Sequence, residues 1–147
     1  QSPLPLWIGG DSSSAMRRTV RFGHGWLAPL QAPTEAAASV AAIRAESARV
    51  GRSIPDDHYG ATFLFRLGPD AADFPSPFAR IPDPAMRRRF ESVQALGDAK
   101  TVLDRIREFR AGGITKLIAI PLARNAAEMN EQSRLLSDEV IAHANEA

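Results

Sequence analysis

The stretch WIGGDSSSA, residues 7–15, decides how this chain folds. It closes an apolar run at residues 4–8 with two glycines, which indicates a buried strand that ends in a sharp turn. Ser12 or Asp11 is then placed to cap a helix that extends to about Phe22. The stretch therefore predicts a strand, a glycine turn and a helix in direct succession.

The same succession recurs along the chain. Because strands that alternate with helices pair in parallel through right-handed crossovers, we predict an α/β fold with about four parallel strands. A complete (β/α)8 barrel needs about 250 residues, so 147 residues form about half of one or a small open sheet. The predicted strands are 4–8, 25–29, 61–67 and 116–121, and the predicted helices are 12–22, 34–50, 85–95, 98–112 and one that begins at Asn125.

Two segments carry more specific expectations. The last helix is predicted to turn Met129, Leu136 and Val140 inward from their spacing. Residues 68–84 are expected to form an irregular loop because their five prolines prevent regular structure. We otherwise expect a single partial-barrel domain over residues 1–147.

Composition excludes several classes of protein. With 44% apolar and 24% charged residues the chain is typical of globular proteins, and its net charge of +1 gives no general field for nucleic acid. The run Arg87-Arg88-Arg89 is interpreted as a solvated helix face. The chain has no cysteine and no apolar stretch of membrane-spanning length, so we predict a cytoplasmic protein without a membrane partner.

The turn after the first strand is the best candidate for a binding site. Glycines let the backbone approach a ligand closely, hydroxyls supply donors, and the following helix directs its positive end at the same place. Gly9, Gly10, Ser12 and Ser13 are therefore the candidate phosphate-binding residues. From these residues alone, ordinary strand-to-helix turn chemistry is the alternative.

The remaining polar residues identify no reaction. No nucleophile triad or P-loop motif is present, which leaves hydrolase and nucleotidase functions without support. His24, His58 and His143 lack metal-ligand spacing, so we predict no metal site. Arg66 and Arg124 follow strands and reach either the barrel mouth or the solvent, and no catalytic residue is assigned.

The order of several motifs resembles the luciferase-like monooxygenases and their deazaflavin-dependent relatives, in the C-terminal half of their barrel. The motifs are PLWIGG at residues 5–10, Arg17-Arg18, GHGW at residues 23–26, and the Ala-Gly-Gly turn at residues 111–113. The resemblance implies that Gly9, Gly10, Ser12 and Ser13 contact a cofactor phosphate. It implies coenzyme F-420 as the cofactor, with FMN as the alternative, and hydride transfer to or from a small-molecule substrate.

Two residues depart from the family pattern. Asp11 would repel a phosphate unless its carboxylate faces solvent. His24 stands where the family usually has an acidic residue, and we interpret it as a surface or turn histidine rather than a proton donor or a phosphate partner. Trp7 and Trp26 are expected to pack in the core rather than on a flavin.

Two functions follow from this sequence. The first is part of a flavin- or deazaflavin-dependent oxidoreductase whose active site this chain does not complete by itself. The alternative is a non-catalytic, shortened relative that binds a phosphorylated ligand or dimerises. Half a barrel leaves unpaired strand edges and one apolar sheet face, so we expect a homodimer or a fragment of a larger barrel.

Overall fold

A computed structural model describes residues 4–143 as parallel strands that alternate with helices. This confirms the predicted α/β fold. The strands are β1 Trp7–Gly9, β2 Gly25–Ala28, β3 Tyr59–Leu67, β4 Gln94–Gly97 and β5 Lys116–Pro121. The helices are α1 Ser13–Phe22, α2 Pro33–Val50, α3 Pro84–Ser92, α4 Ala99–Ala111 and α5 Ala126–Leu135, which continues into a π-helical turn, Leu136–Val140, and a 3-10 turn, Ile141–His143.

The five strands form one sheet in the order β1-β2-β3-β4, with β5 also paired to β3. The pairs β1–β2, β2–β3 and β3–β4 are parallel. Strand β4 has no counterpart among the four predicted strands. The predicted helix over residues 85–95 overlaps its first two residues. Four residues are too few to show strand periodicity, and pairing with residues 64–67 of β3 makes this segment a strand.

The described chain divides into two compact units, and the predicted single domain stays a prediction. The first unit contains residues 1–62 and 108–118. Its core forms where β2 and the first part of β3 pack against helices, and Trp26 at its centre is fully buried, as predicted. Among the other buried side chains of this core are Val20, Val40, Ile43, Tyr59, Phe109 and Ile114.

The second unit contains residues 63–107 and 119–147. Its core forms around the second part of β3, where Phe63 and Phe65 lie with their ring centroids 6.3 Å apart. Val93, Val102 and Val140 are also fully buried there. Segment 68–83 has no helix or strand, which agrees with the predicted irregular loop, and α3 begins at Pro84.

The helix ends mostly follow the sequence signals. Ser12 caps α1, and α2 ends at Gly51, whose φ of 69° is left-handed. The start of α2 differs from the prediction by one residue: α2 begins at Pro33 rather than at residue 34, and Thr34 does not cap it. The Glu35 carboxylate accepts the backbone N–H of Ala32 at 3.0 Å, which replaces the missing cap.

One expectation for the last helix, that Met129 faces inward, is wrong. Met129 is exposed rather than inward, whereas Val140 is fully buried as predicted. The inward position is taken by Gln132, which is 5% exposed. Apolar spacing could not identify it, because a polar residue is buried only where its hydrogen bonds are satisfied.

One strand leaves apolar side chains in contact with solvent. On β5 exposed and half-buried residues alternate, and Ile118 and Ile120 are among the exposed ones. The expectation that helices leave one face of the whole sheet uncovered stays a prediction. The expected homodimer stays a prediction. Within residues 4–143 no helix combines the length and apolar character that crossing a membrane requires.

Candidate functional site: the turn between β1 and α1

Gly9 and Gly10 lie where the sequence placed them, at the end of β1. Gly10 has a φ of 118°, which favours glycine. A Cβ atom on Gly10 would lie 2.7 Å from the Cβ atom of Ala15, so no side chain fits between the turn and the first turn of α1. The backbone at Gly10 is therefore held close to the helix start.

Ser12 and Ser13 lie at the N-terminus of α1. The Ser12 hydroxyl accepts the backbone N–H of Ala15 at 3.2 Å, and it lies 3.0 Å from the Ser14 hydroxyl. Because the first N–H groups of a helix have no intrahelical acceptor, the N–H groups of Ser13 and Ser14 stay available at this exposed end. The turn brings together donors and the positive end of the helix, which suits an anion.

Two residues of the same unit hold the turn in place. The Trp26 indole Nε1 donates a hydrogen bond to the Gly10 carbonyl at 2.9 Å. The His24 ring accepts the Leu6 backbone N–H on Nδ1 at 3.0 Å, and the His24 backbone N–H donates to the Leu6 carbonyl at 2.7 Å. His24 therefore binds the backbone just before β1 through two hydrogen bonds, which confirms its interpretation as a turn histidine. No sequence motif identified the Trp26 bond.

Asp11 meets its expectation, and Trp7 meets its expectation of core packing only in part. Asp11 is exposed, which is the condition under which its carboxylate tolerates a nearby phosphate. Trp7 is only half-buried: its ring stacks on His58 with centroids 5.6 Å apart, and the Lys116 Nζ lies 5.3 Å from its centre. Trp7 thus packs on side chains of its own unit.

The second unit has a polar cluster at the C-terminal end of β3. Arg66 is 6% exposed, and its guanidinium donates to the Leu122 carbonyl at 3.0 Å and to Glu128 at 3.2 Å. The Phe74 ring centre lies 4.1 Å from the Arg66 guanidinium carbon and 5.0 Å from that of Arg124. The sequence left Arg66 at the mouth or in solvent, and the structure buries it.

Glu128 is the acid of this cluster. The backbone N–H of Arg124, 3.0 Å away, and the Arg66 guanidinium together hold the pKa of Glu128 below its ordinary value. Next to it, the Gln132 amide accepts the Leu67 N–H at 2.7 Å and donates to the Leu67 carbonyl at 2.9 Å. Both interactions tie α5 to the end of β3.

The described residues show no further site of a familiar kind. Residues 4–143 contain no group of three or more histidine, cysteine or acidic side chains that could hold a metal ion. Phe78, in the irregular loop, stacks on Phe90 with ring centroids 4.2 Å apart. The exposed turn before α1 is therefore the candidate site.

Parallel strands, alternating helices and a glycine turn before a helix define the chain as an α/β protein with a parallel sheet. The sequence model of the luciferase-like monooxygenases matches residues 1–81. The chain belongs to this family, as its motifs predicted. No curated protein sequence matches it.

Solved structures show the same fold. A coenzyme F-420-dependent tetrahydromethanopterin reductase from Methanopyrus kandleri is 18% identical, with a TM-score of 0.71 over 97% of this chain and 51% of that one. An F-420-dependent secondary alcohol dehydrogenase with an F-420-acetone adduct is 12% identical, with a TM-score of 0.72 over 97% and 49%. The oxygenating constituent of 3,6-diketocamphane monooxygenase from Pseudomonas putida, in complex with FMN, is 15% identical, with a TM-score of 0.70 over 92% and 47%. The chain therefore spans about half the length of these enzymes.

Proposed function

We propose that the turn between β1 and α1 binds the phosphate of a deazaflavin or flavin cofactor, and that the chain is part of an oxidoreductase. One observation carries the proposal: Ser12 caps an exposed helix start two residues after Gly10, whose surroundings leave no room for a side chain. Gly9, Gly10, Ser12 and Ser13 are the proposed contacts. Their availability to an anion fits the family to which the chain belongs.

The proposed cofactor is coenzyme F-420, with FMN as the alternative. The neighbours include enzymes described with each of them. When bound, the ring of either cofactor supplies hydride transfer with a small-molecule substrate. The residues of this chain would bind and orient the phosphate, and we assign none of them to the ring.

The turn suits this role because it is rigid before a ligand arrives. The Trp26 indole bond fixes the Gly10 carbonyl, and the Ser12 cap fixes the first turn of α1. A ligand that meets preorganised donors loses less free energy to ordering the protein. An anchored phosphate would in turn hold the cofactor in a defined position.

Replacement of Ser13 by Asp tests the proposal. A carboxylate in the first turn of a helix stabilises it by about 0.3–1 kcal/mol, so the variant should melt at the same temperature as the parent or slightly higher. The same carboxylate would repel a phosphate, and we expect the affinity for F-420 or FMN to fall by about tenfold or more. Fluorescence titration measures the affinity, and a calorimetric melt measures stability.

The matched control is Thr34→Asp, which adds the same charge to the exposed first turn of α2. It should leave cofactor affinity unchanged. Equal affinities of the parent and Ser13→Asp would remove the phosphate site from this turn. If the parent binds inorganic phosphate but neither cofactor, the non-catalytic module becomes the better description.

A further inference from the structure

A groove between α1 and α2 carries a strong local charge. Its volume is about 660 Å³, within the roughly 300–1,000 Å³ of ligand pockets. Five arginines and a single glutamate line it, although the whole chain has a net charge of only +1. The exposed side chains of Phe22 and Val50 add apolar surface to it. Its charged residues are Arg17, Arg18, Arg21, Glu46, Arg49 and Arg52.

Two of these arginines already form hydrogen bonds within the protein. Arg49 forms a two-pronged pair with Glu46, at 2.8 and 2.7 Å, which holds the pKa of Glu46 below its ordinary value. The Arg52 guanidinium donates to backbone carbonyls at the end of α1, including those of Val20 and Gly23. Neither arginine is therefore available to a ligand without loss of an existing bond.

The other three arginines form no hydrogen bond or ion pair within residues 4–143. Their contacts there are weaker: the Arg21 guanidinium carbon lies 5.0 Å from the Phe22 ring centre, and the charge of Arg17 contributes to lowering the pKa of Glu46. Together with Ser14 they occupy positions spaced three and four apart, so they form one stripe on α1. Like charges at this spacing destabilise a helix, and α1 has no acid in its first turn to offset them. An anionic ligand would relieve this repulsion.

The stripe begins at the proposed phosphate site. The Ser14 hydroxyl lies 3.0 Å from that of Ser12, and Ser14 also lines the groove. From Ser12 to Arg21 the helix rises about 13 Å. An anionic chain that leaves a phosphate at the turn would therefore meet Arg17, Arg18 and Arg21 in succession.

We propose that this groove binds an extended polyanion attached to the cofactor phosphate, specifically the carboxylate chain of coenzyme F-420. The inference rests on the proposed function and selects between its two cofactors. Coenzyme F-420 continues beyond its phosphate into a chain of linked glutamates, whereas FMN ends at its phosphate. Arg17, Arg18 and Arg21 are the proposed contacts for these carboxylates, and Phe22 and Val50 contact its methylene groups.

The test compares F-420 that carries about five glutamates with F-420 whose glutamates have been removed, each titrated into the full chain by fluorescence. We expect the long form to bind about tenfold more tightly, because each of several exposed ion pairs contributes modestly. Raising the salt concentration should reduce this difference by screening. In the triple variant Arg17→Gln/Arg18→Gln/Arg21→Gln the difference should vanish, while the short form binds as before.

The matched control is Arg87→Gln/Arg88→Gln/Arg89→Gln, which removes the same charge from α3. It should preserve the preference for the long form, and circular dichroism melts establish that both triple variants fold. A pentaglutamate with γ linkages, used alone, should broaden or shift amide resonances of α1 in the parent only.

The outcomes separate the two proposals. If both forms of F-420 bind equally, the groove does not hold the chain, while the phosphate site stands. If the α3 control loses the preference as fully as the α1 variant, net charge rather than the groove explains it, and the inference is overturned. If neither form nor FMN binds, the proposed function and this inference fail together.

Discussion

The turn before α1 and the cluster at the end of β3 both lie at the carboxyl end of a strand, where barrel enzymes place their active sites. They differ in how far their polar groups are satisfied. At the turn, Ser13 is exposed and the first N–H groups of α1 remain without a helical partner. In the cluster, Arg66 is buried and engaged by Leu122, Glu128 and the Phe74 ring.

This difference separates a binding site from a structural one. Without the Arg66 guanidinium the Leu122 carbonyl would lose its donor and Glu128 would keep only Arg124, so the cluster should matter to folding. An exposed helix start that loses a hydroxyl remains hydrated, so the turn should matter mainly to a ligand. Not every polar atom of the cluster is satisfied, because the Arg66 Nε atom has no hydrogen-bond partner within the described residues. A strand-end position alone therefore does not identify a functional residue.

The largest expected effect is that of Arg66→Met. It removes the donor of the Leu122 carbonyl and one of the two arginines that pair with Glu128, and we expect the free energy of unfolding to fall by about 3 kcal/mol, because a hydrogen bond to a charged group is lost and a carbonyl is left unsatisfied. Urea unfolding followed by circular dichroism measures it. Cofactor affinity of the folded fraction should be unchanged.

The control for Arg66 is Arg80→Met, at an exposed arginine in the irregular loop. Its effect should stay within about 0.5 kcal/mol, as for most surface substitutions. A loss below about 1 kcal/mol for Arg66→Met would show that the cluster is not a structural clamp, and its arginine would then become a candidate for binding.

The next effect concerns Gln132, which satisfies both backbone groups of Leu67. Gln132→Met keeps the side-chain length but leaves a buried donor and a buried acceptor unpaired, so we expect a loss of about 2 kcal/mol. Asn130→Met, at an exposed position of α5, is the control. Equal stabilities of the two variants, measured by urea unfolding, would mean that water replaces the amide.

Local signals predicted much of the fold. The glycines and serine of the first turn, the stop at Gly51 and the Asn125 cap each act within a few residues, and each lies where the sequence placed it. The strand β4 escaped prediction because only its pairing with β3 defines it. Short-range chemistry is thus readable from sequence, while four-residue strands depend on partners distant in the chain.

The candidate site was readable for the same reason, and the cluster was not. Gly10 and Ser12 are neighbours along the chain, so their spacing carries the information. Arg66 and Glu128 are 62 positions apart, and no local pattern links them. The arginine groove lies between these cases. The stripe of arginines on α1 is visible in the sequence. Which arginines of the groove are already paired is not visible, because that depends on contacts in the folded chain.

The smallest expected effect on stability is that of Ser12→Ala, and it sharpens the comparison most directly. Loss of the helix cap should lower the free energy of unfolding by about 1 kcal/mol, because the Ala15 N–H loses its acceptor. Ser12→Asp should restore that stability, since a carboxylate caps a helix as well as a hydroxyl does. If the turn holds a phosphate, however, Ser12→Asp should bind the cofactor more weakly than Ser12→Ala does, because it places a negative charge beside the ligand. Thermal melts and cofactor titrations on the same two variants would then rank them in opposite orders. The same rank in both measurements would mean that Ser12 acts on the ligand only through the helix, and the phosphate contact would have to be assigned to Ser13 and the backbone of Gly10.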